Sequence, residues 1–443
     1  MTSPAPRPRI SVLGTGYLGA THAVCMTELG YEVIGLDVDA SKVAKLASGE
    51  VPFFEPGLTE LLRKSLDTGR LSFTTSYEEA AHFADVHFVC VGTPQTKGGY
   101  AADLTYVDAA FSSLAPMLTR PALVVGKSTV PAGTAARMAE LVASLAPCPE
   151  VEVAWNPEFL REGFAVEDTL RPDRLVFGVR STGAEARLRE TYGPVIENGC
   201  PVVVTDFATA ELVKVAANSF LATKISFINA MAEICEVTGA DVTKLSQALG
   251  YDDRIGRRFL QAGLGFGGGC LPKDIRAFMA RADELGVAHA LAFLQNVDEI
   301  NLRRRSRVVD LGRELMGGSL RGARVAVWGA AFKPNSDDIR DSPALNVAAA
   351  VRDAGAQVVV YDPAAVENAR RAYPQLSYAD SALSAARDAD LVLLLTEWTE
   401  FRQMDPAVLA DVVAGRRIVD ARNVLDPAQW RAAGWNHRSL GRP

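Results

Sequence analysis

The sequence predicts an α/β protein, with two parallel-sheet lobes joined by a helical central region that contains one long helix. Three observations predict it. A strand–turn–helix–strand pattern stands near each end of the chain, and 207–237 reads as helix with no glycine or proline inside it. The third is length: 443 residues are too many for one ordinary core. The expected division is a first lobe over 1–204, a central helical and dimerising region over 205–316, and a second lobe over 317–443.

The first lobe opens with an apolar run, 9–13, that enters Gly14-Thr15-Gly16-Tyr17-Leu18-Gly19. A helix pattern follows over 20–29, stopped by Gly30, and a second strand over 32–36 ends at Asp37. Alone, G-x-G-x-x-G says little. With a strand before it, a helix after it and an acid closing the next strand, it is the Rossmann-like dinucleotide fingerprint. The glycines let a pyrophosphate approach the helix start, and Asp37 can accept from a ribose diol. A 2′-phosphate would meet like charge at Asp37 and Asp39, so NAD is expected over NADP, although Lys42 works against that repulsion.

Two further strands, 86–91 and 123–126, run into Gly92-Thr93-Pro94 and Lys127-Ser128-Thr129-Val130-Pro131. Ligands of open parallel sheets lie beyond the carboxyl ends of strands, so both turns should border the cofactor; an ordinary strand-ending turn would look the same. The strand 151–154 leads into Trp155-Asn156-Pro157-Glu158-Phe159-Leu160-Arg161-Glu162-Gly163, which puts two carboxylates, an amide and an arginine into nine residues.

In the middle region Lys214 and Asn218 are spaced i, i+4 on the long helix and share a face. A solvated lysine and a functional one remain equally open there. A second helical stretch is expected over 288–315, and the two helices read as a connector that could form a dimer seam. Between them lies Gly263-Leu264-Gly265-Phe266-Gly267-Gly268-Gly269, followed by Cys270-Leu271-Pro272-Lys273-Asp274. Five glycines in seven positions give a backbone that a ligand can approach closely. Pro272 and an amphipathic pattern over 273–285 set Cys270 at a helix start, with Lys273 nearby. Such a setting lowers a thiol pKa and favours the thiolate, so Cys270 is expected to be a nucleophile.

The last third repeats the first. A strand over 324–328 enters Gly329-Ala330-Ala331-Phe332-Lys333-Pro334, a helix follows over 343–354, and a strand over 358–361 is closed by Asp362. This turn lacks the third glycine, so a second NAD is not expected; Lys333 and Arg340 point to an anionic ligand instead.

A net charge of −7 with no basic stretch argues against nucleic-acid binding. Arg303, Arg304, Arg305 and Arg307 read as a solvated helix face or a domain contact. The six cysteines have no metal spacing, so no metal is expected, and they fit reduced thiols in a cytoplasm. The proline-rich start, 1–9, has no apolar core of a signal peptide, and no run is long enough to span a membrane.

Taken together these motifs resemble the UDP-glucose/GDP-mannose dehydrogenase family over nearly the whole chain. The resemblance rests on 14–19, 92–94, 128–131, 156–163, the Lys214/Asn218 helix, 267–274, and 332–334 through Arg340-Asp341-Ser342. It implies an enzyme that oxidises the C6 primary alcohol of a nucleotide sugar to a carboxylate with two NAD. By motif, Cys270 would form a thiohemiacetal and then a thioester, with Lys214 and Asn218 stabilising the oxyanion. Glu158, Thr129 and Asp274 would handle protons and water. NAD would meet Gly14, Gly16, Tyr17, Leu18, Gly19, Asp37, Lys42, Gly92, Thr93, Pro94, Ser128, Thr129, Glu162 and Arg340. The nucleotide sugar would meet Glu158, Phe159, Leu160, Lys214, Asn218, Phe259, Phe266, Gly267, Phe332, Lys333 and Arg422. Arg254 resembles an arginine that the family supplies from the neighbouring subunit, which implies a homodimer. The stretch 332–340 looks more like the UDP-glucose branch than the GDP-mannose one. Gly269 departs from the serine that many relatives carry there. A two-electron hydroxy-acid dehydrogenase would yield one NADH per substrate, and a non-catalytic sensor would have lost Cys270, Lys214 or Asp274.

Overall fold

The computed structural model describes residues 7–442, so the first six residues of the proline-rich start lie outside the described residues. The chain divides into two units: Met1–Ala217 with Arg276–Leu285, and Asn218–Ile275 with Gly286–Pro443.

The first unit holds an eight-stranded sheet made of β1 (Ile10–Leu13), β2 (Val33–Leu36), β3 (Leu71–Thr74), β4 (Val86–Val89), β5 (Ala122–Gly126), β6 (Val151–Trp155), β7 (Leu175–Gly178) and β8 (Val202–Thr205). Their order is β3-β2-β1-β4-β5-β6-β7-β8. Every neighbouring pair is parallel except β6 and β7, which meet antiparallel at Trp155 and Gly178. β1, β2 and β4 are buried at every position, as strands covered on both faces must be. Side-chain alternation then feeds two cores. Ile10, Val12, Phe88 and Val125 pack on one face, and Leu13, Leu36, Val89, Val124 and Trp155 on the other.

The second unit holds a six-stranded, all-parallel sheet: β9 (Arg324–Trp328), β10 (Gln357–Tyr361), β11 (Ser377–Tyr378), β12 (Leu391–Leu394), β13 (Arg417–Asp420) and β14 (Asn436–Ser439). Its order, β11-β10-β9-β12-β13-β14, repeats the reversal of the first sheet beside its opening strand. Trp328 and Phe401 stack in its core, with ring centroids 5.4 Å apart. The anticipated strand pattern at each end is therefore present, and β3, β7, β8, β11, β13 and β14 add to it.

Helix boundaries shift slightly from the sequence expectation. The first helix starts at Tyr17 and not at residue 20, because Gly16 already serves as its extended N-cap and Gly19 lies inside it. The long helix is Phe207–Thr238. The stretch expected as helix from 288 opens as a 3-10 turn, Ala288–Leu291, before the helix Phe293–Leu315. Of the two readings of the basic cluster on that helix, a solvated face holds for Arg303, which is exposed, and not for Arg304 and Arg305. Arg304 is fully buried and pairs with Glu236 at 3.1 Å, while Arg305 is buried and donates to Asp341 at 2.7 Å. Among the described residues no helix is long and apolar enough to cross a membrane.

Candidate active site

The first βα turn is shaped by where side chains cannot go. Gly14 has φ +86, and a Cβ there would lie 2.8 Å from the Val91 side chain; one on Gly19 would collide with the Gly14 carbonyl. Gly16 faces open space. The helix Tyr17–Glu28 has no side-chain cap and no acid in its first turn, so its leading N–H groups stay available to an anion. That arrangement fits the pyrophosphate of NAD.

Asp37 closes β2 as expected, and its carboxylate is already engaged by its own chain. It accepts from the Thr15 N–H at 2.8 Å, from Lys42 Nζ at 2.8 Å and from the Asp39 N–H at 3.1 Å. A ribose diol would share this carboxylate with Lys42. In the second lobe Asp362 does the corresponding work more completely. It accepts from the Ala330 and Ala331 N–H groups at 2.8 and 3.0 Å and from Trp398 Nε1 at 3.0 Å, which closes that turn on itself.

The Tyr17 hydroxyl donates to Glu55, a residue that sequence reasoning passed over. Glu55 is buried and also accepts from the N–H groups of Gly163 at 2.6 Å and Ala165 at 2.7 Å. It therefore ties the glycine turn to the 156–163 loop. Burial and the Glu55 carboxylate push the Tyr17 phenol far above its ordinary pKa. Only the acid within the turn-like run Phe53-Phe54-Glu55-Pro56-Gly57 could have flagged it.

The turns after β4 and β5 are linked: Thr93 Oγ1 donates to the Thr129 carbonyl at 2.8 Å, and Ser128 Oγ to the Val91 carbonyl at 2.6 Å. After β6, Glu158 pairs with Lys214 at 3.0 Å, with both side chains largely buried. Lys214 is thus not a solvated lysine, and the loop after β6 is not merely solvated. Phe159 lies beneath the Arg174 guanidinium, 3.7 Å from its ring centroid, with Lys214 Nζ at 5.7 Å.

In the second unit Cys270 is exposed and immediately precedes the helix Leu271–Glu284; its carbonyl accepts from the Asp274 N–H at 2.9 Å. Asp274 is buried and accepts from Asn218 Nδ2 at 2.6 Å and Lys273 Nζ at 2.7 Å. The glycine run before Cys270 is packed, not open. A Cβ on Gly267 would collide with the Asp341 carbonyl, and one on Gly269 with the Arg340 guanidinium. Gly268, at φ +84, could hold a Cβ only 2.8 Å from the Phe332 ring. Asn301 secures the run, its amide accepting from the Phe266 N–H at 2.7 Å and donating to the Phe266 carbonyl at 2.9 Å. Arg422 donates to the carbonyls of Leu395, Gly265 and Phe332 at 2.7, 3.0 and 3.3 Å. Arg340 is exposed and pairs with Asp338, and Lys333 Nζ lies 5.3 Å from the Phe332 ring centroid. Arg254 is exposed and pairs with Asp252, and Phe259 holds φ 64, a strained value for a bulky residue. Leu160 lies beside Glu158 and donates its N–H to that carboxylate at 2.5 Å, while Glu162, Gly92 and Pro94 sit in the loops beyond the strand ends. Leu18 lies in the first turn of the helix Tyr17–Glu28.

Three segments match domains of one family, described as the UDP-glucose/GDP-mannose dehydrogenase family: residues 8–196 its NAD binding domain, 208–303 its central domain and 326–427 its UDP binding domain. The UDP-glucose 6-dehydrogenase of Rhizobium meliloti (strain 1021) is 41% identical over 440 residues, covering 98% of this chain and 100% of that protein. A UDP-glucose dehydrogenase from the archaeon Pyrobaculum islandicum superposes with a TM-score of 0.92 at 39% identity, covering 100% of both chains. A UDP-D-ManNAc dehydrogenase from Pyrococcus horikoshii gives 0.85 at 27% identity, covering 98% of this chain and 99% of that one. With its NAD-binding lobe, central region and UDP-binding lobe all matched, this chain belongs to the UDP-glucose/GDP-mannose dehydrogenase family, whose members are NAD-dependent nucleotide-sugar oxidoreductases.

Proposed function

We propose that the protein oxidises C6 of UDP-glucose to the carboxylate, giving UDP-glucuronate, with Cys270 as the covalent nucleophile. The observation that carries this reading is the exposed thiol at the head of the helix Leu271–Glu284, one turn from the buried Asp274–Asn218 pair. The glycine turn and Asp37 would hold NAD, which supplies the hydride acceptor for both oxidations. A base, Glu158 acting with Thr129, takes the alcohol proton in the first. The Cys270 thiolate then adds to the aldehyde carbon and gives a thiohemiacetal. Its oxyanion is met by Lys214 and by the second N–H of the Asn218 amide, each donor worth about 3 kcal/mol. Loss of the second hydride leaves a thioester. Water, deprotonated by Asp274 or Glu158, attacks that carbonyl and releases the carboxylate and the thiolate. UDP-glucose is favoured by the names of the relatives at about 40% identity. The three-part division of the chain at 204 and 316 is proposed with it.

The test is NADH yield against limiting UDP-glucose, GDP-mannose and UDP-N-acetylmannosamine. UDP-glucose should give two NADH per molecule at the highest kcat/KM. One NADH per molecule, or a better rate with another sugar, would remove this reading.

The active unit is proposed to be a cytoplasmic homodimer. Phe220, Phe227 and Ile234 repeat every seven residues along the helix Phe207–Thr238 and are 67%, 48% and 56% exposed. Such a stripe matches a helix seam with a second copy. Arg254 is proposed to reach the partner's sugar. Phe227→Glu should shift the protein to monomer in light scattering after size exclusion, with activity lost alongside; an unchanged mass would refute the seam.

A further inference from the structure

One charged side chain in the first unit is buried and has no place in the chemistry above. Lys127 follows β5 directly and is only 7% exposed. Among the described residues no carboxylate pairs with it. Its ammonium donates to Asn156 Oδ1 at 2.9 Å and to the Tyr192 hydroxyl at 3.2 Å, and it lies 5.9 and 5.7 Å from the ring centroids of Phe88 and Tyr192. The Tyr192 hydroxyl donates to the same Asn156 oxygen at 2.6 Å, and Asn156 Nδ2 donates to the Val176 carbonyl at 3.0 Å. The charged and titratable groups acting on the ammonium are Cys90, Glu158 and Lys214, and Lys127 in turn acts on the buried ring of His22. Burial holds the Lys127 pKa down at about 8.

A buried ammonium without an ion-pair partner costs stability, and an apolar residue of its size would fit the site better. What this one does is join two strand ends. Thr129 stands two residues after Lys127, and Glu158 two residues after Asn156. The backbones of these turns already meet where the Asn156 N–H donates to the Gly126 carbonyl at 2.8 Å. The Lys127–Asn156 bond adds a side-chain clamp across the same junction, and it fills both lone pairs of the Asn156 oxygen together with Tyr192.

We propose that Lys127 is a positioning residue of the dehydrogenase, acting through Asn156 to hold the turns that carry Thr129 and Glu158 in one arrangement. This rests on the proton-handling roles assigned to those two residues. A misplaced base slows the chemical step far more than it weakens binding, because the loss falls on the transition state.

The experiment is steady-state kinetics with UDP-glucose and NAD alongside thermal melting. Lys127→Met should lower kcat roughly tenfold or more, leave both KM values within about twofold and leave the Tm equal or higher. In an Asn156→Ala background the same substitution should cost little further, because the two act as a unit. Unchanged kcat in Lys127→Met, losses that add fully with Asn156→Ala, or a fall in Tm that accounts for the lost activity would each overturn the proposal. If Lys127→Met does not fold, Tyr192→Phe reads the same network. It should lower kcat roughly threefold at unchanged KM, and an unchanged kcat would overturn the proposal. Glu158→Gln is the control. Full activity in that variant would sink the role given to Glu158, whereas its loss beside a fully active Lys127→Met would sink this inference alone.

Discussion

Cys270→Ala protein is expected to bind NAD and UDP-glucose normally and to lose carboxylate formation by roughly 1,000-fold or more, as removal of a covalent nucleophile does elsewhere. Cys270 is exposed, and surface truncations of this kind usually move stability little, so the melting temperature should barely move. Any residual NADH should come from the first oxidation alone, one per sugar, with aldehyde as the product. Cys270→Ser should be nearly as slow, since serine is the poorer nucleophile at neutral pH. Mass spectrometry of that variant after incubation with both substrates should reveal a sugar ester on the chain. Two NADH per sugar at an undiminished rate in Cys270→Ala would exclude the cysteine as nucleophile.

Lys214→Met should lower kcat roughly 100- to 1,000-fold, the range seen when one preorganised oxyanion donor is removed. It should also destabilise the fold. Glu158 and Lys214 form a largely buried pair at 3.0 Å, and losing one partner strands a charge at a cost of about 3–5 kcal/mol. Stability and activity can then be separated. Adding Glu158→Leu to Lys214→Met should recover much of the Tm and none of the rate. A single variant with wild-type melting would mean that the pair is solvated, and one with wild-type kcat would take Lys214 out of the chemistry.

Much of this was readable from residues alone, for identifiable reasons. The glycine turn, Asp37 and the helix Phe207–Thr238 rest on short-range rules: positive φ, the period of a helix, the absence of a breaker. Lys214 and Asn218 were paired by spacing on that same helix. What the sequence could not display were polar residues whose partners are remote in the chain. Glu55 reaches Gly163, Asn301 reaches Phe266 and Lys127 reaches Asn156, and none stands in a periodic pattern. The arginines at 303–307 are expected to form a solvated face or a domain contact. The first of these gives way at Arg304 and Arg305 for a related reason, while Arg305–Asp341 is a contact of the second kind. A run of like charges reads as a solvated face, yet Glu233 and Glu236 on another helix neutralise it from inside.

Glycines 263–269 invite description as a pliable lid, and insertion or linker engineering would naturally be aimed at them. Their surroundings argue for the opposite treatment. Asp341, Phe332, Arg340 and Asn301 stand where side chains on Gly267, Gly268, Gly269 and Gly265 would have to go. The tolerance of Gly265, Gly267 and Gly268 to substitution should therefore be that of a protein interior, with almost every replacement rejected. Gly269, whose nearest neighbours are atoms of the movable, exposed Arg340 side chain, should accept a small residue such as serine. Evolution of new sugar preferences would then have to proceed through the residues facing the run, while the ribbon that presents the thiol stays fixed.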